Sequence, residues 1–381
     1  MRRPEAPTNV GGWSYAARVD QLSLRMTSLL LRPHPSGRPD TVAGVVAWFG
    51  AMQAQDMASV LWSLGARLPA FTLDDVNAAL ERREAIRTWP MRGTVHLVPP
   101  ADAHWMLDLM GVRALAGAAK RRDTIGLDEK TAERGVEVLA AALAGGRRLT
   151  RAQCLAALAD GGITLAGQQG YHLLWYASQK GVTCIAPHVG KEQTFALLDD
   201  WAPQPNRPDR EEALGIIALR YFRGHGPATK ADLARWTGLT ASDAKAGIAA
   251  AGDRLTTVRV DGTEMIVDPA LAAAEIGPVD DWLALPGFDE YLLGYKDRAL
   301  MVDAGHLQAI IPGGNGVFQS TVVRGGRVVA TWKRTLGKKA VTVDVFPLVP
   351  LKPADRRKAE AAFEPYAKFV GRPAQLRWAD N

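Results

Sequence analysis

The stretch FGAMQAQDMASVLWSLGARL contains two neutral amides and a carboxylate, Gln53, Gln55 and Asp56, between two strongly apolar segments. On a helix, side chains two residues apart diverge, whereas in an extended or turn segment both amides lie on one side of the chain. We treat Gln53 and Gln55 as candidate catalytic residues. Spacing alone leaves open the commoner alternative, in which the run is a helix cap with solvent contacts.

Asp56 has two interpretations. Its side-chain oxygens can accept hydrogen bonds from the first amides of the next helix, so we predict that Asp56 caps that helix. The competing interpretation is a general base or a stabiliser of positive charge. We rank the capping role first.

The elements around this stretch follow one outline three times: amphipathic helices, then a β-hairpin. The third unit contains a helix-turn-helix pattern with Gly238 at the turn, and Asp261-Gly262 predicts a two-residue hairpin turn. Predicted helices lie at 21–31, 41–52, 57–68, 72–82, 150–159, 168–180, 211–223, 229–237 and 241–251, and predicted hairpins join AIRTW to TVHLV, VTCIAP to QTFALL and RLTTVRV to TEMIVDP.

Helices followed by a hairpin are typical of a winged helix, so the predicted fold class is α+β with tandem winged-helix (helix-turn-helix) units. We expect winged helices at 1–125, which contains the two glutamines, at 126–205 and at 206–275. The remaining segment, 276–381, is rich in β-branched runs and predicts a C-terminal antiparallel β-sheet or barrel closed by a helix.

Composition narrows the possible partners and compartment. The 381 residues carry a formal net charge of +6, which suits a polyanionic partner. Cys154 and Cys184 are expected to be buried thiols, and no paired spacing indicates a metal site. We see no secretory leader and no membrane-spanning run, so we expect a cytoplasmic protein without membrane contact.

The basic residues are unevenly distributed. No acidic residue occurs between Asp303 and Asp344, so the lysines and arginines of this span predict an electropositive face that binds phosphates. The alternative is that they protect a strand edge from aggregation. The candidate nucleic-acid contacts in this span are Arg324, Arg327, Lys333, Arg334, Lys338 and Lys339.

Further candidate DNA contacts lie outside this span. Arg92 occupies the tip of the first hairpin, and His96 lies on its second strand, where packing within the sheet is an equal alternative. In DEYLLGYKDR, Lys296 and Arg298 are candidates, while the aromatic residues are expected to pack. Gln168, Gln169 and His172 open a helix that could read base edges, although burial is favoured for His172. Smaller basic clusters occur at 82–92 and 120–122.

Three phrases, MQAQD, AIRTWPMRGTVHLVPPAD and LPGFDEYLLGYKDR, resemble the bacterial winged-helix DNA glycosylases of the azinomycin-resistance group. The resemblance runs from about Leu22 to the C-terminal sheet. It implies tandem winged helices with a β-barrel, excision of N7-alkylated purines, unhooking of interstrand crosslinks, and a catalytic Gln-Xaa-Gln that falls on Gln53 and Gln55. The expected partner is double-stranded DNA with alkylated purines, bound by a monomer without cofactor or metal.

The implied chemistry explains the neutral amides. Alkylation at N7 makes the purine cationic and a good leaving group, so no strong acid is needed, and the protein must mainly place a water against the sugar. An amide oxygen can accept a hydrogen bond from that water. Two non-enzymatic alternatives are a winged-helix regulator that reads an operator and a protein that sequesters a toxic small molecule.

Overall fold

The computed structural model describes residues 21–190 and 192–379 and is built from helices and largely antiparallel sheets. Most of the predicted helices form within a few residues of their expected ends, while the long helix at 129–143 was not predicted. The α-helices are α1 Gln21–Ser28, α2 Val42–Phe49, α3 Met57–Arg67, α4 Leu73–Glu81, α5 Ala103–Met106, α6 Val112–Ala116, α7 Ala118–Ile125, α8 Glu129–Leu143, α9 Arg151–Asp160, α10 Gln169–Gln179, α11 Leu198–Trp201, α12 Arg210–His225, α13 Lys230–Thr237, α14 Ala241–Ala251, α15 Pro269–Ala272, α16 Glu290–Leu293, α17 Leu307–Ile310, α18 Pro353–Ala361 and α19 Glu364–Phe369.

The strands form three sheets, and all three predicted hairpins are present. One sheet has the order β1-β3-β2-β5-β6-β4, the second β13-β12-β11-β10-β9, and the third is the pair β7-β8. The strands are β1 Met52–Gln53, β2 Ile86–Met91, β3 Thr94–Val98, β4 Leu149–Thr150, β5 Thr183–Val189, β6 Glu192–Leu197, β7 Thr256–Val260, β8 Thr263–Val267, β9 Trp282–Leu285, β10 Ser320–Arg324, β11 Arg327–Leu336, β12 Val341–Pro347 and β13 Ala374–Trp378.

The first two hairpins belong to one six-stranded sheet. Strand β2 pairs with its hairpin partner β3 on one side and with β5 on the other, where Arg87 is in register with Ile185. Every residue of β2 is buried, as expected for a strand covered on both faces and paired along both edges. Periodicity within each hairpin cannot reveal this pairing, because β2 and β5 lie about a hundred residues apart.

Several predicted caps and turns are confirmed. Asp56 caps α3 by accepting a hydrogen bond from the Ser59 amide at 3.0 Å, as the sequence predicted. Gly238 ends α13 in the left-handed conformation with φ of 77°, and Thr240 caps α14, which completes the predicted helix-turn-helix. Asp261 also adopts a positive φ in the tight turn between β7 and β8.

The C-terminal sheet differs from the prediction in one pair of strands. Strands β9 to β12 are antiparallel, but β12 and β13 run parallel, with Val343 in register with Leu376. A parallel pair needs a crossover connection, and α18 and α19 supply it. Within the described residues β9 and β13 form the two edges of the sheet, so the sheet is open rather than closed as a barrel.

An ion pair inside the protein joins α3 to the start of α16. The Arg67 guanidinium contacts both oxygens of Asp289, at 2.8 and 2.9 Å, and both side chains are almost fully buried. Ser63 donates to the same carboxylate at 2.7 Å. Burial opposes ionisation of Asp289, but Arg67 and these hydrogen bonds hold its pKa below the ordinary value. The pair therefore fixes α3 against the segment that follows β9.

Both cysteines, Cys154 and Cys184, are buried free thiols, as predicted, and burial raises the pKa of each to about 12. In the part of the chain that the structure describes, no helix has the length and apolarity needed to cross a membrane.

Replacing Asp289 by Asn should leave Arg67 as a buried charge without its counterion. We expect the free energy of unfolding to fall by about 3–5 kcal/mol, measured by urea denaturation. The wild-type protein should lose the contribution of this pair as the pH falls below the ordinary carboxyl pKa, because the pKa of Asp289 is depressed only in the folded state.

The control is Glu137→Gln, which breaks the exposed pair between Arg134 and Glu137 on α8. An exposed pair of this kind contributes about 0.5 kcal/mol or less. Equal losses for the two variants would contradict a stabilising role for the buried pair.

Candidate active site and nucleic-acid interface

The segment 53–55 joins the end of β1 to the cap of α3. Strand β1 pairs with β3, with Gln53 in register with His96, and the Ala54 amide donates to the Val95 carbonyl at 2.8 Å. This extended backbone places the side chains of Gln53 and Gln55 on the same side of the chain. Ala54 is fully buried on the other side, where a small apolar residue fits.

The side-chain amide of Gln53 is hydrogen-bonded to both the backbone and the side chain of Gln55. The Gln53 Oε1 accepts from the Gln55 backbone amide at 3.0 Å, and the Gln53 Nε2 lies 3.5 Å from the Gln55 Oε1. Gln53 is 8% exposed, whereas Gln55 is exposed. The inner amide is thus held in orientation and the outer amide faces solvent, where it can bind water or a sugar.

A buried carboxylate supports the inner glutamine from behind. One oxygen of Glu290 accepts from the backbone amide of Gln53 at 3.2 Å. The other oxygen accepts from Trp236 Nε1 at 2.9 Å and lies 3.1 Å from the Nε2 of His225. The opposite ring nitrogen of His225 lies 3.1 Å from the Tyr221 carbonyl, so each ring nitrogen faces an oxygen that can accept a hydrogen bond.

The electrostatics of Glu290 follow from these contacts. Burial disfavours its charged form, but the hydrogen bonds and charge of His225, together with Trp236, outweigh burial and hold its pKa below the ordinary value. The side chain is 2% exposed, so this negative charge is retained close to the paired amides without contact with solvent.

His96 lies inside the sheet behind the glutamines. It is fully buried; its Nδ1 donates to the Thr94 carbonyl at 2.9 Å and its Nε2 lies 3.5 Å from an Arg92 nitrogen. Burial and the nearby Arg92 lower its pKa to about 4, so the ring is neutral near pH 7. A DNA contact by His96 stays a prediction that would require the side chain to leave this position.

Three arginines from separate segments approach this site. Arg92 protrudes from the turn between β2 and β3 and lies within electrostatic reach of Glu290 and Arg235, which is on α13. Burial first, and then the charges of Arg235 and Arg92, lower the pKa of Arg298 to about 10. Burial and mutual repulsion disfavour the charged forms of Arg92 and Arg298 more than the nearby carboxylates favour them, so an added anion such as a phosphate would stabilise both cations.

The segment that carries Arg298 is fixed by hydrogen bonds. Arg298 donates to the Leu292 carbonyl at 2.7 Å and its guanidinium lies 5.0 Å from the ring centre of Phe318. The Lys296 backbone amide donates to Asp232 at 2.8 Å, and the lysine side chain is exposed. Tyr291 and Tyr295 are buried, as the sequence predicted.

The basic residues of the C-terminal sheet fall into two groups at opposite ends of β11. The first group, here called the β11–β12 tip, consists of Lys333, Arg334, Lys338 and Lys339. Arg334 pairs with the α3 cap Asp56 at 3.2 Å, so the tip lies beside the residue that follows Gln55. Lys338 and Lys339 are exposed in the turn after β11.

The second group lies at the turn between β10 and β11, where Arg327 is roughly 20 Å from Lys333 along the strand at about 3.3 Å per residue. There Arg324 pairs with Asp355 at 3.6 Å and Arg327 with Asp303. Acidic partners from other segments therefore neutralise part of the basic span, contrary to the premise drawn from the local sequence. Both residues stay predicted contacts, separated from the glutamines.

Sequence reasoning missed Glu290, His225, Trp236 and Arg235 as members of the site. The sequence places His225 and Glu290 more than sixty residues apart, and neither has a local pattern that indicates chemistry. Asp289 likewise binds a distant residue, because its partner Arg67 lies 222 positions away in the sequence. Among the described residues, no three His, Cys, Asp or Glu side chains gather as a metal site.

Known proteins are similar to this chain in sequence and in fold. The family model of AlkZ-like DNA glycosylases matches residues 46–369. The chain is 28% identical over 373 residues to an interstrand DNA cross-link repair glycosylase from Streptomyces sahachiroi, with 91% of this chain and 95% of that protein covered. The solved structure of Streptomyces sahachiroi DNA glycosylase AlkZ superposes with a TM-score of 0.76 and 26% identity, covering 96% of this chain and 100% of that one. With a family match over most of its length, this chain belongs to the AlkZ-like DNA glycosylases.

Proposed function

We propose that this DNA N-glycosylase hydrolyses the bond between deoxyribose and N7-alkylated purines in double-stranded DNA, including purines held in interstrand crosslinks. The observation that carries the proposal is the exposed Gln55 amide, paired with the oriented Gln53 amide beside a rim of arginines. The cross-linked substrate is supported by the name of the Streptomyces sahachiroi relative, an interstrand DNA cross-link repair glycosylase.

The reaction needs little acid catalysis. The bond between C1′ and the purine N9 breaks, and its electron pair moves to the base, which neutralises the positive charge created by alkylation. The oxygen of a water molecule forms the new bond to C1′ and its proton passes to solvent. Gln53 and Gln55 are proposed to hold this water by accepting its hydrogen bonds, and the buried Glu290 carboxylate holds the Gln53 backbone in place.

The proposed DNA surface combines the β2–β3 turn with the β11–β12 tip. Arg92, Lys296 and Arg298 would contact phosphates on one side of the glutamines, and Lys333, Lys338 and Lys339 on the other. His96, Arg324 and Arg327 are the predicted contacts that this arrangement supports least. Hairpins that straddle the duplex would allow the sugar to be reached without flipping a bulky base into a pocket.

The units at 1–125, 126–205 and 206–275 are proposed to be winged helices, with 276–381 as the C-terminal domain. Their helices followed by hairpins support this division, and we expect a monomer on DNA. Family membership favours the enzyme over a winged-helix regulator or a protein that sequesters a small molecule.

Replacing either glutamine should slow base release without changing the fold. For Gln53→Ala and Gln55→Ala we expect the single-turnover rate on DNA with 7-methylguanine to fall by about 100-fold, because the attacking water loses a positioned acceptor. Gln375→Ala, at an exposed position on β13, is the matched control. Full activity of the Gln53→Ala/Gln55→Ala double variant would refute the site.

Glu290 is proposed as a positioning residue that acts through Gln53. Glu290→Gln keeps the shape and one acceptor but removes the charge that holds His225 and Trp236. We expect the single-turnover rate to fall by about tenfold while the Kd for undamaged DNA stays unchanged. Trp236→Phe, which leaves the hydrogen bond to Gln53 intact, should slow the reaction less. An unchanged rate in folded Glu290→Gln protein would exclude the positioning role.

The β11–β12 tip should contribute to DNA affinity through phosphates. Each lost phosphate contact lowers the slope of log K against log salt by about 0.9, so Lys338→Ala/Lys339→Ala should reduce the slope by about 2. Fluorescence anisotropy across a salt series measures this quantity. Lys358→Ala/Lys368→Ala removes two exposed lysines from α18 and α19 as a control. Identical slopes for both double variants would remove the tip from the interface.

A further inference from the structure

A cleft beside the β2–β3 turn has no role in the proposed mechanism. It lies between α6 and α7 on one side and α10 on the other, and its cavity volume is about 560 Å³. Gly93 of the turn forms part of its wall. Cavities of this size accommodate ligands of the size of a nucleotide. We refer to it as the α7–α10 cleft.

The α7–α10 cleft has the chemistry of an anion site. Arg113, Arg121 and Arg151 line it, and all three are exposed. Among the described residues that line the cleft, none is acidic. Arg121 is oriented by a hydrogen bond to Gln168, and Arg113 by a bond to the Gly238 carbonyl at 2.9 Å. Three arginines in a lining without a carboxylate favour a phosphate, and Arg121 and Arg151 are the two whose guanidinium groups are not drawn towards Gly238.

The same cleft presents aromatic surface. Tyr171 is 53% exposed, with the Arg151 guanidinium 5.7 Å from its ring centre, and Trp175 is half-buried beside it. An aromatic side chain left exposed next to a cation offers a face on which a nucleobase can stack, whatever its sequence. Cations and an exposed ring together match a nucleotide better than an isolated anion.

A buried histidine in the cleft wall lacks a hydrogen-bond partner. His172 is 7% exposed, lines the cleft, and its Nε2 is buried without a partner among the described residues. Burial, and then the charges of Arg122 and Arg121, lower the pKa of His172, so its ring is neutral near pH 7. A buried polar atom without a partner is unusual in a folded protein, and a polar group of a ligand in the cleft would supply one.

We propose that the α7–α10 cleft binds one unpaired nucleotide of the DNA strand, its phosphate on the arginines and its base against Tyr171. This inference deepens the proposed function and rests on it. The two surfaces adjoin at the β2–β3 turn, where Arg92 faces the glutamine site and its neighbour Gly93 faces the cleft. A strand passing the hairpin turn meets both surfaces. The bound nucleotide is separate from the one that reacts at Gln53.

The test compares binding of two undamaged DNAs, a perfect duplex and the same duplex with one unpaired thymidine. Wild-type protein should prefer the bulged duplex, and Tyr171→Ala should lose about tenfold in affinity for it and little for the perfect duplex. Tyr171→Phe, which keeps the ring, should behave as wild type. Equal affinity of wild type and Tyr171→Ala for the bulged duplex would overturn the proposal.

A second arm distinguishes the strand from a free nucleotide with the same chemistry. Thymidine monophosphate should displace the bulged duplex only weakly if the strand is the ligand. Strong displacement without any preference for the bulge would assign the cleft to free nucleotides and overturn the DNA assignment. Because neither DNA is damaged, binding is measured independently of base release. These outcomes would therefore be the same if Gln53 and Gln55 proved not to be catalytic.

Discussion

The carboxylate of Glu290 is the constraint on which the candidate site depends. A buried charge is unfavourable unless every lone pair has a partner, and here His225, Trp236 and the Gln53 amide provide partners from three distant segments. Removing any one partner leaves the buried carboxylate incompletely hydrogen-bonded, so all three segments contribute to holding this charge in place. The position of Gln53 is therefore set by the interior of the protein rather than by the loop that follows it.

The preceding residue extends the same constraint. Asp289 binds Arg67 and Ser63 of α3, the helix that begins directly after the glutamines. Two adjacent carboxylates thus hold both sides of the segment 53–55, one through strand β1 and one through α3. Gln55, between these fixed elements, is exposed, so a rigid scaffold presents one amide to solvent, which favours a defined position for a water or sugar.

The sequence predicted the parts of the fold that depend on neighbouring residues. The cap at Asp56, the turn at Gly238 and the three hairpins follow from local propensity and periodicity, and the structure contains them. The union of β2 with β5 and the parallel pairing of β13 were not predicted, because both depend on contacts between distant segments. Local patterns cannot indicate such pairings.

The candidate site divides in the same way. Gln53 and Gln55 are predicted site residues because they are near each other in sequence and resemble a known motif, whereas Glu290, which contacts Gln53, lies 237 residues away. The basic span illustrates this limit: it contains no acidic residue in sequence, yet Arg324 and Arg327 pair with Asp355 and Asp303 in the folded protein. Lys333, Lys338 and Lys339 are exposed and form no ion pair with any residue that the structure describes, so these three match the expectation of free basic residues.

The shared six-stranded sheet has a consequence for how this architecture can change during evolution. Because β2 pairs with both β3 and β5, a first or second helix-plus-hairpin segment exchanged by recombination would have to supply a strand edge that matches the retained one. This requirement favours joint inheritance of the two segments, and variation is expected to accumulate in turns and surface helices. New specificities would arise on the rim while the paired strands remain as one unit.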